Sequence, residues 1–350
     1  MSVLKRIVSS PMFTPLLVLA LILLFNAIIQ PGFLSIELRD GVFRGGLVNT
    51  LNRSVPVMLL ATGMTLVIAT GGVDLSVGSV VAIGSAVAIT LIRGDDASPT
   101  ADTAMALGLV VIITMIVGVI CGLWNGFLVA RIGIPPIVAT LIFMVAGRGL
   151  TQNITRERSI TTGHLPFSEL ANGNILGIPN PIWIALGIFL IFWFFTRKTA
   201  FGLFIESVGA NRSAARLAGI KATTILLAIY ALSGLCASIA GILSASNVRV
   251  IEPMNTGRDM ELDAILAVVL GGTNMRGGKF NLGGSCIGAI ILMALTQTMT
   301  FYGVNPESAM WVKAVVIVLI ILIQSSTTRK FISSRFKSKT PEKQEVSVNE

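Results

Sequence analysis

The stretch Gly71-Gly72-Val73-Asp74-Leu75-Ser76-Val77-Gly78 decides how this chain is read. An apolar run precedes it from Val55 to Thr70, and another follows from Val80 to Ile92. Between them stand three glycines, a carboxylate and a hydroxyl, too few polar residues for an ordinary surface loop. In a bilayer, non-helical backbone persists only where protein covers it or where it lines a wet cavity. A glycine-broken apolar hairpin with one acid is therefore a candidate wall of a path across the membrane.

The composition agrees. Of 350 residues, 53% are hydrophobic and 12% charged, about half the charge of a soluble domain. Mean hydropathy is +0.84. Several apolar runs approach or exceed the ~20 residues that cross a hydrocarbon core. The expected class is an all-α, polytopic helical membrane protein; barrel strands would alternate over about ten residues. The net charge of +9 follows one side of the spans, as the positive-inside rule requires, and is not read as a nucleic-acid surface. Cys121, Cys236 and Cys286 lie in apolar, glycine-rich surroundings and read as packing residues. His164 is the one histidine, so neither a histidine metal cluster nor a histidine relay is expected.

Working outward, Lys5 and Arg6 precede a run from Pro11 to about Gln30, too long for a signal peptide and without a small-residue cleavage site. Residues 31–54, with Glu37, Arg39, Asp40, Arg44 and Arg53, read as an external loop or surface helix. Further spans are expected at about 55–70, 76–92, 104–130, 135–152, 179–196, 223–245, a short 261–272, 283–301 and 310–325, about ten in all. Pro135-Pro136 opens the fifth, because proline suits a first helical turn. Residues 1–327 then form one transmembrane domain, with 197–222 a cytoplasmic loop and 328–350 a polar, disordered cytoplasmic tail. With the N-terminus inside, Lys5, Lys198, Lys221, Lys279, Lys330, Lys337, Lys339 and Lys343 all fall inside, and only Lys313 sits within a span. The acidic turn Asp95–Asp102 falls outside; the arginines of 31–54 are the one disagreement. Gly118, Gly122 and Gly126, and Ser233, Ala237 and Gly241, recur four apart and read as lines of close helix approach.

No GxxxxGK[ST] loop is present. Arg276-Gly277-Gly278-Lys279-Phe280 lacks the first glycine and has Phe where a hydroxyl would hold magnesium, so ATP hydrolysis by this chain alone is not expected. A secondary transporter needs a charge relay, and Asp74, Arg148, Glu261, Asp263 and Lys313 do not form one by spacing. A membrane enzyme would need a paired nucleophile and base or metal ligands, so no enzyme is expected. Asn211 to Ala218, closed by Gly219, reads as a short helix with a small apolar face, suited either to an ordinary basic inside loop or to docking of a soluble partner.

Five motifs in order, GGVDLSVGS, LWNG at Leu123–Gly126, PPIVATL, the AxxxGI loop and ELDAILAVVLGG, resemble permeases of the ribose-type sugar ABC importers over nearly the whole chain. TLVIATGGVDLSVG, ATLIFMVAGRGLTQ and LDAILAVVLGG are most similar to the galactofuranose importers of that family. The resemblance implies the vitamin B12-importer-like (type II) permease fold and a monosaccharide path, for galactofuranose or a related hexose or pentose, formed with a second permease subunit in the bacterial inner membrane, both termini cytoplasmic. It implies two cytoplasmic ATP-binding subunits that hold the ATP and magnesium, and a periplasmic sugar-binding protein for which loops 153–178 and 246–260 are candidate docks. Glu206, Gly209, Asn211, Ala214, Ala215 and Gly219 are the candidate ATPase-coupling residues. Asp74, Ser76, Trp124, Asn125 and Arg148 are candidates for the sugar path. Each has a plainer reading: Asp74 as a helix cap, Ser76 as a first-turn serine, Trp124 and Asn125 as packing, Arg148 as an interface anchor, and Glu261 and Asp263 as caps of the short eighth run.

Overall fold

A computed structural model describes residues 12–305 other than 31, 40 and 94–104, together with 308, 311–315 and 317–318. The acidic turn expected after Arg93, most of the expected tenth span and the tail from Thr328 lie outside the described residues.

Helix α1 (Phe13–Ile29) leads into a short antiparallel pair, β1 (Glu37–Arg39) and β2 (Val42–Arg44). Helices α2 (Gly46–Ala69) and α3 (Val77–Arg93) flank the glycine hairpin. Helix α4 (Leu107–Phe127) runs on through a π-helical turn to Ile132, and α5 (Pro136–Thr155) starts at the expected prolines. Then come β3 (Ile160–Thr161), α6 (Leu165–Asn172), β4 (Asn174–Ile175), β5 (Ile178–Pro179) and α7 (Asn180–Lys198). Two short helices follow, α8 (Ala200–Ala210) and α9 (Arg212–Leu217), then α10 (Ala222–Val248), β6 (Val250–Ile251), α11 (Met260–Leu270) and α12 (Leu282–Phe301).

The first nine expected runs are all helical. Among the described residues, six helices are long and apolar enough to cross a membrane: α2, α4 with its π turn, α5, α7, α10 and α12. Helices α1 and α3 are shorter. Helix α11 has 11 residues. At 1.5 Å per residue it reaches about half of a ~30 Å core. The second span corrects the expected boundary. Its helix starts at Gly46, not near Val55, and continues through Pro56. Its polar first turns depress the hydropathy, yet they are satisfied within the helix or by a neighbour: Arg53 Nε donates to Asn49 Oδ1 at 3.2 Å, and Thr50 Oγ1 donates to Gln297 Oε1 at 2.6 Å.

Helices α2 and α10 form the centre. Of their most apolar windows, 72% and 67% of residues are buried, against 22–28% for α4, α5 and α7. A helix that is apolar all round belongs inside; one with an exposed apolar flank faces lipid. The small-residue lines are where central helices touch. A Cβ added at Gly122 would strike the Tyr230 carbonyl, and one at Gly234 the Gly118 carbonyl, so α4 and α10 meet backbone to backbone. Gly241 on α10 meets Val81 of α3 in the same way. All three cysteines are buried.

The ends of α10 define two faces. Its 27 residues span about 40 Å. At the Val248 end, β3 and β6 pair (Ile160↔Ile251, Thr161↔Val250), and α6 is pinned to α10 by Ala171 N donating to Ser246 Oγ at 3.0 Å. His164 caps α6, its Nδ1 accepting from Phe167 N at 3.1 Å. The two loops named as candidate docks are thus one folded cap. At the Ala222 end lie α8, α9, Gly71 and the 271–281 loop.

Candidate functional site

The chain leaves α2 at Ala69, turns at Gly71 in the left-handed region (φ +77°), and stays non-helical until the turn that opens α3. What holds this stretch is a buried polar node. Asp74, 1% exposed, accepts at Oδ1 from the Ser76 backbone N–H (3.0 Å) and hydroxyl, and at Oδ2 from Ser233 Oγ of α10 (3.0 Å). Asn125 Nδ2 of α4 donates to Ser76 Oγ at 2.7 Å, so proton donation runs Asn125 to Ser76 to Asp74. Thr140 Oγ1 of α5 accepts from Leu75 N at 3.1 Å. Hydrogen bonds to an ionised acceptor are about twice as strong as neutral ones, and a buried carboxylate needs them. Tyr230, fully buried on α10, faces Gly72; its hydroxyl has no hydrogen-bond partner among the described residues, and neither does Asn125 Oδ1.

The candidate path residues therefore separate. Asp74, Ser76 and Asn125 come together. Trp124, the next residue on α4, is 54% exposed and points away from the node. Arg148 lies on α5 and forms a second junction: Nη1 donates to the Thr256 carbonyl at 2.6 Å and Nη2 to the Gly257 carbonyl at 2.9 Å. Beside those carbonyls, Glu261 is 7% exposed and lies against Gly78, where an added Cβ would meet its carboxylate. The first turns of α3 and α11 thus abut. Glu261 Oε2 has no hydrogen-bond partner among the described residues. Asp263 stands in the first turn of α11, as expected, and also pairs with Lys313 at 2.7 Å. Ser233, Thr140 and Tyr230 are participants that the sequence reading passed over. Ser233 stood in a line of small residues, and nothing local distinguishes its hydroxyl from a packing serine.

The α8–α9 segment takes the expected form. Thr199 Oγ1 caps α8, accepting from Phe201 N at 3.2 Å. Asn211 Oδ1 caps α9, accepting from Ser213 N and Ala214 N at 3.0 Å each. Gly219, at φ +84° in open space, ends it. The candidate coupling residues face different ways. Ala215 is buried, packing with Val208 and Ala222, whereas Ala214 and Asn211 are exposed. Glu206 lines a cleft of about 540 Å³ with Arg197, Lys279 and Asn281. Gly209, half-buried, is pressed against Ala69 and Gly278. Leu217, at 92% exposed, is the outstanding apolar side chain of α9 and was not among the candidates. Arg212 turns back toward the Ala130 carbonyl (3.5 Å); burial pushes its guanidinium below the ordinary arginine value, and Arg216 beside it pushes the same way. On the opposite face an open cleft of about 450 Å³ is lined by Gln152, Glu157, Ser159, Glu252, Met254 and Asn255.

Residues 46–323 match the family described as branched-chain amino acid transport system / permease component. The galactofuranose transporter permease protein YtfT of Escherichia coli K12 is 44% identical over 91% of this chain and 90% of its own length. The fructose import permease protein FruF of Bifidobacterium longum is 39% identical, covering 92% and 89%. The ribose import permease protein RbsC of Escherichia coli K12 is 36% identical, covering 89% and 92%. No solved structure matches the chain.

Proposed function

This chain belongs to the permease-component family named above, and from that premise we propose that it is the membrane-spanning permease subunit of an ATP-driven monosaccharide importer. The family description mentions branched-chain amino acids. The observation that carries a sugar instead is that three relatives at 36–44% identity, each matched over about nine-tenths of its length, are all sugar permeases. The sugar is galactofuranose or a related hexose or pentose. The fold is the type II permease fold with about ten spans, seated in the inner membrane with both termini cytoplasmic.

In this reading the chain is a gate without an engine. A second permease subunit completes the path. A sugar-binding protein delivers to the β3–β6 face, where the 450 Å³ cleft offers carboxylates and amides. Two ATP-binding subunits, holding ATP and magnesium, grip α9, whose exposed Leu217 and Ala214 form the contact and whose Asn211 cap keeps its axis fixed. The hairpin 71–76 is the movable wall. In the described conformation both Asp74 oxygens are taken by Ser76 and Ser233, so Asp74 first latches the wall to α10 and meets a sugar hydroxyl only after one partner lets go. Arg148 ties the loop before α11 to α5, and the α3–α11 junction at Gly78 and Glu261 opens with it. Trp124 takes part only where a second subunit covers α4.

Reconstituted vesicles should import the sugar only when binding protein, ATPase and ATP are all supplied. Uptake by this chain alone overturns the reading. Uptake abolished by a protonophore and indifferent to ATP replaces it with an ion-coupled transporter.

A further inference from the structure

Three separate segments meet at the end of α2 with no side chain between them. The Gly278 N–H donates to the Ala69 carbonyl at 2.8 Å. Gly209, in the last turn of α8, sits so close that an added Cβ would run into the same Ala69 carbonyl and lie 2.7 Å from Gly278 N. A Cβ at Gly277 would lie 2.9 Å from the Gly209 carbonyl, 2.9 Å from Gly71 N and 3.1 Å from the Ala69 carbonyl. Packed backbones are stiff, because there are no rotamers to absorb a displacement. Each segment leads somewhere. Gly209 is two residues from Asn211, the cap of α9. Ala69 and Gly71 begin the hairpin that ends at the Asp74 node. Gly277 and Gly278 belong to the loop joining α11, which abuts α3 through Glu261, to α12.

We propose that this glycine seam, Gly209 against Ala69, Gly71 and Gly277, is the joint through which movement imposed on α9 reaches two hairpins together, residues 71–76 between α2 and α3 and the glycine-rich 271–281 loop between α11 and α12. Gly209 and Gly277 are then positioning residues for transport, not contacts of the ATPase. The inference rests on the reading above that α9 receives the ATPase's motion. A flexible joint would leave each hairpin to move by itself; a side-chain-free seam forces one displacement on both.

The molecule contains its own control. Gly277 and Gly278 are both left-handed, at φ +86° and +94°, so alanine is strained at either. Only at Gly277 does the new Cβ strike the seam; at Gly278 it meets nothing within 4 Å. In vesicles carrying ATPase and binding protein, Gly277→Ala should assemble and hydrolyse ATP, yet lose about tenfold in sugar imported per ATP. Gly278→Ala should stay within about twofold of the unmodified chain. Equal ratios for the two variants overturn the proposal. Should Gly277→Ala fail to assemble, one glycine inserted between the exposed Ala210 and Asn211 loosens α9 from Gly209 without touching the seam. That insertion should hydrolyse ATP and fail to import, and full import per ATP overturns the seam. Failure of the unmodified chain to import with all partners present overturns the proposed function itself, and the seam with it.

Discussion

At Asp74 three donors converge on a carboxylate that solvent scarcely touches. Removing the acceptor strands all of them in a low-dielectric interior. Asp74→Ala should therefore cost about 3 kcal/mol of stability, since each buried donor left unpaired costs roughly 1–3 kcal/mol. Asp74→Asn keeps an acceptor for Ser76, and the Ser233 hydroxyl can turn to accept from the new amide, so its cost should be about 1 kcal/mol. Thermal unfolding of the purified permease in detergent should rank the midpoints unmodified, Asn, Ala. An alanine variant as stable as the unmodified chain would show that the node does not hold the hairpin. The residue scale also shows why adjacent letters separate. Trp124 and Asn125 are about 100° apart around α4, so one faces out and the other reaches Ser76.

Among the described α-helices, α9 is the shortest and the most exposed to change. Six residues gain little from helix propagation, so the Asn211 cap, bonded to two backbone N–H groups, supplies much of what keeps it formed. Asn211→Ala should destabilise α9 by about 1 kcal/mol, and Asn211→Ser should restore it. Leu217 contributes nothing to the fold at 92% exposure, so Leu217→Ser should leave the unfolding midpoint unchanged. It should still weaken co-purification with the ATP-binding subunit by about tenfold, as loss of an apolar anchor does. Undiminished co-purification would move the docking surface off α9. Gly219, in contrast, serves the turn. Its φ of +84° suits glycine, and nothing crowds the position.

For the molecule as a whole, the length of α10 separates two faces, one carrying α8–α9 and the other the β3–β6 cap. The native cysteines are at most 8% exposed and give little background to a thiol probe. Leu217→Cys should react with a membrane-impermeant maleimide in inside-out vesicles and Met254→Cys, at a site 69% exposed on the opposite face, in right-side-out vesicles. Labelling of both from one side would break the topology; an exchange of sides would invert the orientation.

The chain's membrane class, the first nine helical runs, the break at Gly71-Gly72, the start at Pro135-Pro136 and the short helix after Asn211 closed by Gly219 were legible in the sequence. Each depends on local chemistry: backbone in lipid must bond to itself, apolar length must match the bilayer, and glycine, proline and asparagine act on their own few residues. The start of α2 at Gly46 was not legible, because its polar first turns are satisfied partly by Gln297 far along the chain. Only the tertiary structure decided that Asp74 bonds Ser233, 159 residues away, that Ser76 bonds Asn125, 49 away, and that Gly209 bears on Ala69. The physical reason is that a serine or glycine offers the same hydroxyl or the same bare backbone wherever it occurs. Its role is set by what another part of the chain brings within 3 Å of it.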